Sequence, residues 1–483
     1  MAFTDLREFI EATDKLGELK RVDGAHWDLE IGAITELVAE RKGPALLFDQ
    51  IPGFPAGYRV LSHPFSSNKR TALVLGLPPD LTGFEMLLAW RERLKSFEPV
   101  PPVEVKSGPV MENALTGDKV DIFKFPTPLW HELDGGRYIG TGSAVITKDP
   151  EEGWINIGTY RCMLIDDEPT RLLVKINAQR HARRMITKYH AKGQPCPVAI
   201  SFGQEPAEWM PATYSGVPWG VSEYDFAGWL RGKPVEVITS GASGLPIPAT
   251  AEIVIEGEIS PSQEGDKYWE GPCSEWLGYF ADKSKGDAYV VDIKSILHRN
   301  DPILLGTPWM KPPAPLFAIP VQAGAVWEQL EGAGLTGITG VWTPIFDSPF
   351  IIVVSLKQMY PGHAKQTALA AVACRAANSG ARFVIVVDDD VNIANFEEVF
   401  WAVATRCDVD TIEILRNMIA ARTDPSLTPE ERQRYELLRS RVVIDACRPF
   451  ARIEDYPAVN KFSDEYREKT INKWKSQIDI SGG

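Results

Sequence analysis

The middle of the chain restricts the fold most. Between residues 116 and 305, short runs rich in β-branched and aromatic residues alternate with clusters of Gly, Pro and Asp. The runs are Val120 to Phe125, Gly140 to Thr147, Trp154 to Ile165, Thr170 to Ile176, Val198 to Phe202, Pro234 to Thr239, Ala251 to Ile259 and Asp287 to His298. Many short strands with turn signals at this spacing predict an antiparallel barrel or sandwich. One helix, Arg180 to Lys192, is expected to interrupt them.

The flanks read differently. From Thr4 to Val110, helical spacing at Leu6, Phe9, Ile10 and Leu16, helices over Glu30 to Arg41, Asn68 to Leu75 and Phe84 to Leu94, and a buried strand Ala45 to Phe48 predict a mixed α/β part. Pro99, Pro101 and Pro102 close it. After Asp301 a strand over Phe350 to Leu356, a helix over His363 to Asn378, a strand over Phe383 to Val387 and a helix over Phe396 to Thr405 give α/β alternation, with sites expected at strand carboxyl ends. Ser426 to Arg441 reads as a solvated loop or helix face. Asp464 to Gln477 reads as a charged helix whose apolar residues, Trp474 among them, pack on another subunit or on the chain itself. The expectation is therefore an α+β chain in three parts: 1–115, a central 116–305, and 306–483.

With 483 residues, two to four structural units with ample core are expected. The net charge of −14 argues against nucleic acid and membrane surfaces as general partners, although local Arg and Lys can still hold a small anion. The six cysteines are scattered without a C-x-x-C pair, so neither a disulfide framework nor a zinc ribbon fits. The opening residues read as an amphipathic helix and no apolar run reaches about 18 residues, which makes the cytoplasm the expected location.

Four stretches hold polar residues that invite chemistry. In Tyr268-Trp269-Glu270-Gly271-Pro272-Cys273-Ser274-Glu275, two carboxylates stand five residues apart. On a helix they would point about 140° apart, and on a straight strand to opposite faces. A bend at Gly271-Pro272 is the simple geometry that lets them converge, and Pro272 has no N–H to tie it into a sheet. Two carboxylates held close in a partly apolar site push their pKa values apart, so one can stay protonated. From this stretch alone, a surface loop with two solvated Glu residues is the favoured reading.

Elsewhere, Asn156 and Arg161 lie in an apolar, β-branched run where buried polar groups need partners, and Gly158 lets a ligand approach the backbone. Gln179-Arg180-His181 opens a helix, whose unpaired N–H groups suit a phosphate. Ser222-Glu223-Tyr224 follows a loop of Pro, Gly and Trp. Asn, His and Glu together suit Mn²⁺ or Mg²⁺ sharing a phosphate oxygen. Singly, His181 reads as a structural histidine, Asn156 as a turn residue and Glu223 as a surface charge.

The order and spacing of the set resemble the UbiD family of reversible decarboxylases, which includes ferulic acid decarboxylase. The matching motifs are Asn156-Ile-Gly-Thr-Tyr-Arg161, Arg180-His181, Ser222-Glu223-Tyr224 with Ala227-Gly228, Glu270-Gly-Pro-Cys-Ser-Glu275, Lys357-Gln-Met-Tyr-Pro-Gly-His363 and Val387-Asp388-Asp389-Asp390. The similarity runs from Asp5-Leu6-Arg7 to Asp445-Ala446-Cys447.

The resemblance implies a central split β-barrel of flavin-binding type and a C-terminal part that drives oligomerisation, as a dimer or hexamer. It also implies prenylated FMN as cofactor, supplied by a flavin prenyltransferase. Mn²⁺ would bridge the phosphate to Asn156, His181 and Glu223, with K⁺ nearby. Asn156, Ile157, Gly158, Thr159, Tyr160, Arg161, Arg180, His181, Glu223 and Lys357 would contact the cofactor. Arg161, Glu270 and Glu275 match the family's Arg-Glu-Glu network, with Glu275 as proton donor, Arg161 positioning carboxylates and Glu270 tuning the pair. The implied reaction is non-oxidative release of CO₂ from an aromatic or heteroaromatic acid; the alternatives weighed are a flavin redox protein and an inactive subunit of a hetero-oligomeric decarboxylase.

Two departures stand out: Arg180 where ferulic acid decarboxylase has Gln, and Cys273-Ser274 where Phe-Gly is commoner. Cys273 reads as a packing residue. The Asp388-Asp389-Asp390 run reads as a strand end and helix cap rather than a second metal site, because Asn392, Asn395 and a helix follow. Substrate choice is expected from Thr307 to Lys311, Asn417 to Ala420 and Tyr360, the last reading equally as a core tyrosine.

Overall fold

The computed structural model describes residues 3–477 except 82, 178–179, 215–216, 218–219, 263–266, 286–287, 312–316, 318–319, 345–349, 378–379 and 435. It has a mixed α+β fold around a curled half-barrel. The central sheet runs in the order Tyr138–Gly140, Cys162–Leu164, Arg171–Val174, Tyr289–His298, Ile253–Ile259, Cys196–Phe202, Ser143–Lys148, Ile155–Gly158, and Asn113–Thr116 adds onto Tyr289–His298. Every pairing in it is antiparallel.

Connectivity dictates the curl. The chain leaves Gly158 at one end of this order and re-enters at Cys162, next to the other end. In a flat sheet that hop would cross six strand spacings, about 29 Å. The four peptide units from Gly158 to Cys162 reach about 14 Å at most. The hop from Gly140 to Ser143 crosses between the same two sides with still less chain. The two sides therefore meet along a seam, and Asn156, Arg161 and Tyr138 all belong to it.

Both faces of the sheet are buried, which explains the nearly continuous apolar runs. Val145, Val198, Ile200, Ile253 and Ile255 point into the barrel core with Tyr138, Cys162 and Ile296. Their neighbours Ala144, Ile146, Ala199 and Val254 pack outward with Tyr224 and Ala227. The helices Pro206–Thr213 and Glu223–Arg231 provide that outer cover. A four-stranded sheet of Leu19–Asp23, Ala45–Asp49, Arg59–Ser62 and Ile303–Gly306 lies on the N-terminal side. Helix Leu6–Lys15 is fastened to the central sheet by a two-pronged Arg7–Glu252 pair at 2.8 Å. The C-terminal part is a five-stranded sheet, Ile338–Trp342, Ile351–Leu356, Phe383–Asp388, Leu438–Ala446 and Glu413–Ile419, with three parallel strands in its middle.

Several elements differ from expectation. Helix His181–Ala191 forms, but the central region also holds Pro206–Thr213 and Glu223–Arg231. Glu205 caps the first, with Pro206 pre-set for the opening turn, and Ser222 with Asp225 forms a capping box on the second. Val120 to Phe125 is not a strand. Asp121 accepts from Phe123 N–H at 2.9 Å and winds Ile122–Lys124 into a 3₁₀ turn. Ser426 to Arg441 is not simply a solvated face, because it holds a short helix, Pro429–Gln433, and the start of strand Leu438–Ala446. Arg441 is buried there because the Val372 and Ile419 carbonyls accept from its guanidinium. The helix from His363 ends at Ala373, and Asn378 and Asp287 lie outside the described residues.

Glu205 and Glu208, on the outer cover, are buried. Burial pushes Glu205 up to about 8, with the neighbouring Glu208 adding to it. Burial likewise pushes Glu208 to about 7 against the pull of Arg231, which donates to it at 2.9 Å. Both values exceed the ordinary 4.5, so the stability these groups contribute is complete below pH 4.5 and is lost as pH rises through 7 to 8. The thermal midpoint should fall between about pH 5 and pH 9. Glu205→Gln should flatten that slope, and a slope unchanged in the variant would contradict the assignment.

Candidate active site

Arg161 sits in the hop across the seam, its carbonyl accepting from Lys175 N–H at 3.1 Å. Its guanidinium forks onto Glu270, Nε to Oε1 at 2.7 Å and Nη2 to Oε2 at 2.8 Å, while Nη1 donates to Glu275 Oε1. The bend expected at Gly271-Pro272 is present. Trp269–Glu270 pairs with Ser284–Lys285, the chain turns through Gly271 at φ +82° and a cis peptide to Pro272, and Cys273–Ser274 pairs instead with Phe280–Ala281. A facing loop closes over the turn: Gly135 N–H donates to Pro272 O at 2.7 Å, and a Cβ at Gly135 would overlap the Gly271 carbonyl.

The two carboxylates are held unequally. Glu270 is 2 % exposed and takes both prongs of the fork, whereas Glu275 is 17 % exposed and takes one contact. Burial raises Glu275 above the ordinary carboxylate range, against the charge and hydrogen bond of Arg161; the Glu270 charge adds to the rise and Lys175 opposes it. Burial works to lower Arg161, but Glu270, Cys273 and Glu275 hold it well above its usual value. Cys273 is buried in this cluster and burial pushes its thiol up, which suits a packing residue rather than a nucleophile.

Sequence reasoning missed Tyr138. Its hydroxyl donates to Glu270 Oε1 at 2.9 Å from a fully buried ring. A tyrosine inside Arg137-Tyr138-Ile139-Gly140 reads as strand packing, and only the seam shows that it faces a residue 132 positions away.

A second polar cluster forms on the strand before the hop. Asn156 is buried, and among the described residues its Nδ2 has no hydrogen-bond partner. Glu223, first residue of its helix, accepts from Ile157 N–H at 2.7 Å, and burial pushes it to about 8 against that bond. Gly158 is bare because the Tyr160 hydroxyl takes the space a Cβ would fill. Burial raises Tyr160 to about 12, with Glu223 adding to the rise and Arg180 and the Ala182 N–H pulling it down. His181 begins its helix with Arg180 as N-cap and packs edge-on against Trp154, ring centroids 5.2 Å apart. Burial, then Arg184, Arg180 and Arg375, lower its pKa and keep it neutral. Gln179 lies outside the described residues.

A buried amide N–H₂ without a partner among the described residues suits an anionic ligand, while the Glu223 carboxyl and the neutral His181 imidazole can offer lone pairs to a cation bound to that anion. Among the described residues no three His, Cys, Asp or Glu side chains gather into a metal site. The expected set holds two of those residue types plus Asn156.

Other expected residues lie elsewhere. Lys357 is exposed on the loop after Ile351–Leu356, its N–H donating to Gly337 O at 2.8 Å, and among the described residues no hydrogen bond joins it to either cluster. Tyr360 is not a core tyrosine: it is 39 % exposed, stacked on His363 and bonded to Gln366. Thr307 is buried and locked to Thr141 of the seam by bonds of 3.0 and 2.6 Å. Asn417 lies at φ +61° in the outermost strand of the C-terminal sheet. Asp388 ends its strand, taking donors from Gln358, Arg406 and Arg448. Asp390 forks with Arg406, and Asn395 supplies the helix cap.

Three family models match consecutive portions of the chain, described as 3-octaprenyl-4-hydroxybenzoate carboxy-lyase N-terminal domain (residues 10–90), Rift-related domain (102–312) and C-terminal domain (316–446). The chain belongs to the UbiD family. Its solved relatives include the vanillic acid decarboxylase of Sedimentibacter hydroxybenzoicus in open form, 28 % identical with TM-score 0.84 over 98 % of this chain and 100 % of that one. The UbiD-class enzyme HmfF from Pelotomaculum thermopropionicum, in complex with FMN, is 26 % identical with TM-score 0.82 over 96 % of this chain and 98 % of that one. An evolved dimeric form of HmfF in complex with prFMN, at 24 % identity and TM-score 0.80 over 96 % and 98 %, shares the fold. This UbiD protein is a carboxy-lyase, a decarboxylase by class.

Among the described residues, Arg161 is the one side chain hydrogen-bonded to both carboxylates. Arg161→Leu should destabilise the protein by about 3 kcal/mol, because it strands the buried Glu270. Arg161→Lys should recover part of that loss, since an ammonium cannot reproduce the fork. Urea midpoints would measure both, and a stable leucine variant would show that the cluster is not charged.

Proposed function

We propose that this protein catalyses reversible, non-oxidative decarboxylation of an aromatic or heteroaromatic carboxylic acid, with prenylated FMN as cofactor and Glu275 as proton donor. The observation that carries the reading is one buried guanidinium shared by two carboxylates of unequal hold. Two ionised carboxylates against one cation leave excess negative charge in a site of low polarity, so one of them takes a proton. Glu270, forked and almost fully buried, keeps the charge. Glu275, with one contact and a pKa raised by burial, takes the proton.

Release of CO₂ from an sp² carbon leaves an electron pair without an intrinsic sink, and prenylated FMN supplies that sink when bound. The chain's own residues do the rest. Arg161 orients the substrate carboxylate, and Glu275 delivers its proton to the vacated carbon. Glu270 keeps Arg161 aimed and biases the proton towards Glu275. In the reverse direction Glu275 removes that proton.

Asn156, His181 and Glu223 would hold Mn²⁺ against the cofactor phosphate, with K⁺ close by; the stretch Asn156 to Arg161 together with Arg180 and Lys357 would line the cofactor. The central part, 116–305, would act as the split flavin-binding barrel. The part 306–483 would carry assembly into a dimer or hexamer, a flavin prenyltransferase would supply the cofactor, and the cytoplasm would be its place of action. Electron transfer would have no use for a proton shared between Glu270 and Glu275. A purely structural subunit would have no use for a complete Arg161-Glu270-Glu275 set.

Loaded with prenylated FMN and offered a panel of aromatic and heteroaromatic acids, Glu275→Gln should release CO₂ at least about 100-fold more slowly than wild type. Its cofactor absorbance should be retained. Wild-type turnover by that variant would end the assignment. Glu223→Gln should lose bound manganese, measured by elemental analysis, and retain FMN poorly. Full manganese content in that variant would remove Glu223 from the ligand set.

A further inference from the structure

Glu270 is held by more than Arg161. Its Oε1 accepts two hydrogen bonds, from Arg161 Nε at 2.7 Å and from the Tyr138 hydroxyl at 2.9 Å, and its Oε2 accepts one from Arg161 Nη2 at 2.8 Å. Glu275 accepts from Arg161 Nη1 alone among the described side chains. The difference is three donors against one. Each donor to an ionised carboxylate stabilises the charged form, and the Tyr138 bond is made in a fully buried place where it is strengthened. Tyr138 itself cannot ionise there, because burial, with Cys273 and Glu270 adding to it, drives the phenol far above its ordinary range. It is a permanent donor.

The rest of the surroundings do not discriminate in this way. Cys273 is a buried neutral thiol beside both carboxylates. Lys175 donates to Ser284 Oγ at 2.9 Å and acts on Glu275 as a charge that favours ionisation, against the assignment of the proton to Glu275. Asp134 accepts from His131 and, at 3.4 Å, from Ser274 N–H, so it is turned to the loop backbone. The competing acceptor for Tyr138 is Pro272 O, at the longer distance of 3.5 Å.

We propose that Tyr138 is a positioning residue of the reaction: its hydroxyl pins the negative charge on Glu270 and thereby keeps the shared proton on Glu275, where the substrate can receive it. The inference rests on Glu275 being the proton donor and adds what decides that role between two chemically identical side chains. Tyr138 belongs to the first strand of the sheet and Arg161 to the hop, so the seam that closes the half-barrel also brings the deciding donor into place.

Tyr138→Phe keeps the ring and its packing and removes only the donor. Both carboxylate states then lose discrimination. The proton spends part of its time on Glu270, and kcat should fall about tenfold with KM nearly unchanged. The charged pair is also stabilised less, so the alkaline limb of the kcat profile should move to higher pH. Glu270→Gln should move the same limb to lower pH, because it removes the charge that raises Glu275.

A readout on the protein without cofactor separates this inference from the function itself. Infrared difference spectra over a pH titration should show, beside the bands of the buried Glu205, Glu208 and Glu223, a protonated carboxyl component that is missing from Glu275→Gln. In the Glu275→Gln, Tyr138→Phe double variant, a new protonated band from Glu270 should appear at a higher pH than in Glu275→Gln alone. Identical carboxyl titrations in those two variants, or a Tyr138→Phe enzyme with wild-type kcat and pH profile, would overturn the role of Tyr138. Undiminished turnover by Glu275→Gln would instead overturn the proton donor, whatever Tyr138 does.

Discussion

The structure depends on the limited reach of four peptide units. The link from Gly158 to Cys162 joins strands that would stand about 29 Å apart in a flat sheet, and it can span about half of that. No side-chain contact could relax this requirement, so the sheet curls until its two sides meet. The seam that results is where the polar residues of the centre collect. Asn156 lies on the last strand of the order, Arg161 in the link itself, Tyr138 on the first strand and Thr141 in the companion link.

Collecting charge at a buried seam is costly unless it is paired, and Arg161 pairs it twice. A guanidinium offers donors in a fixed fork that an ammonium lacks, which allows two contacts to Glu270 and one to Glu275 from a single residue. The bend through Gly271 and Pro272 makes this possible. It leaves Glu270 in one two-stranded ribbon and Glu275 just past the strand Cys273–Ser274 of another, and lets both side chains return to the same cation. The asymmetry of that arrangement separates two identical side chains into a charge holder and a proton carrier. The Asn156–Glu223 cluster sits on the other side of Gly158 along the same stretch, so the two polar centres share one strand and one link.

Much of this was legible in the sequence. Strand-forming runs, the Gly-Pro bend and the helix beginning at His181 follow from local rules of φ, ψ and side-chain period. Elements whose cause is a capping side chain were harder to see. Pro206–Thr213 depends on Glu205, a residue commonly read as a surface charge, and Ile122–Lys124 on a single Asp121 bond that outcompetes a strand. Strand Leu438–Ala446 was obscured by Arg439 and Arg441, whose charges are satisfied by Glu431 and by carbonyls reached only in the folded sheet. Tyr138 left no signal at all, since a tyrosine in a strand is ordinarily core.

The sequence by itself determined the strand-rich centre between two α/β flanks, the bend between Glu270 and Glu275 that lets them converge, and the motif set shared with UbiD decarboxylases. These depend on residue type and short spacing, where the physics is local. Tertiary structure alone decided that strands adjacent in the chain stand at opposite ends of the sheet, that Arg161 divides its donors two to one, and that Tyr138 reaches Glu270. Those facts come from closure of the sheet, which brings together residues more than a hundred positions apart and leaves no periodic trace in the chain.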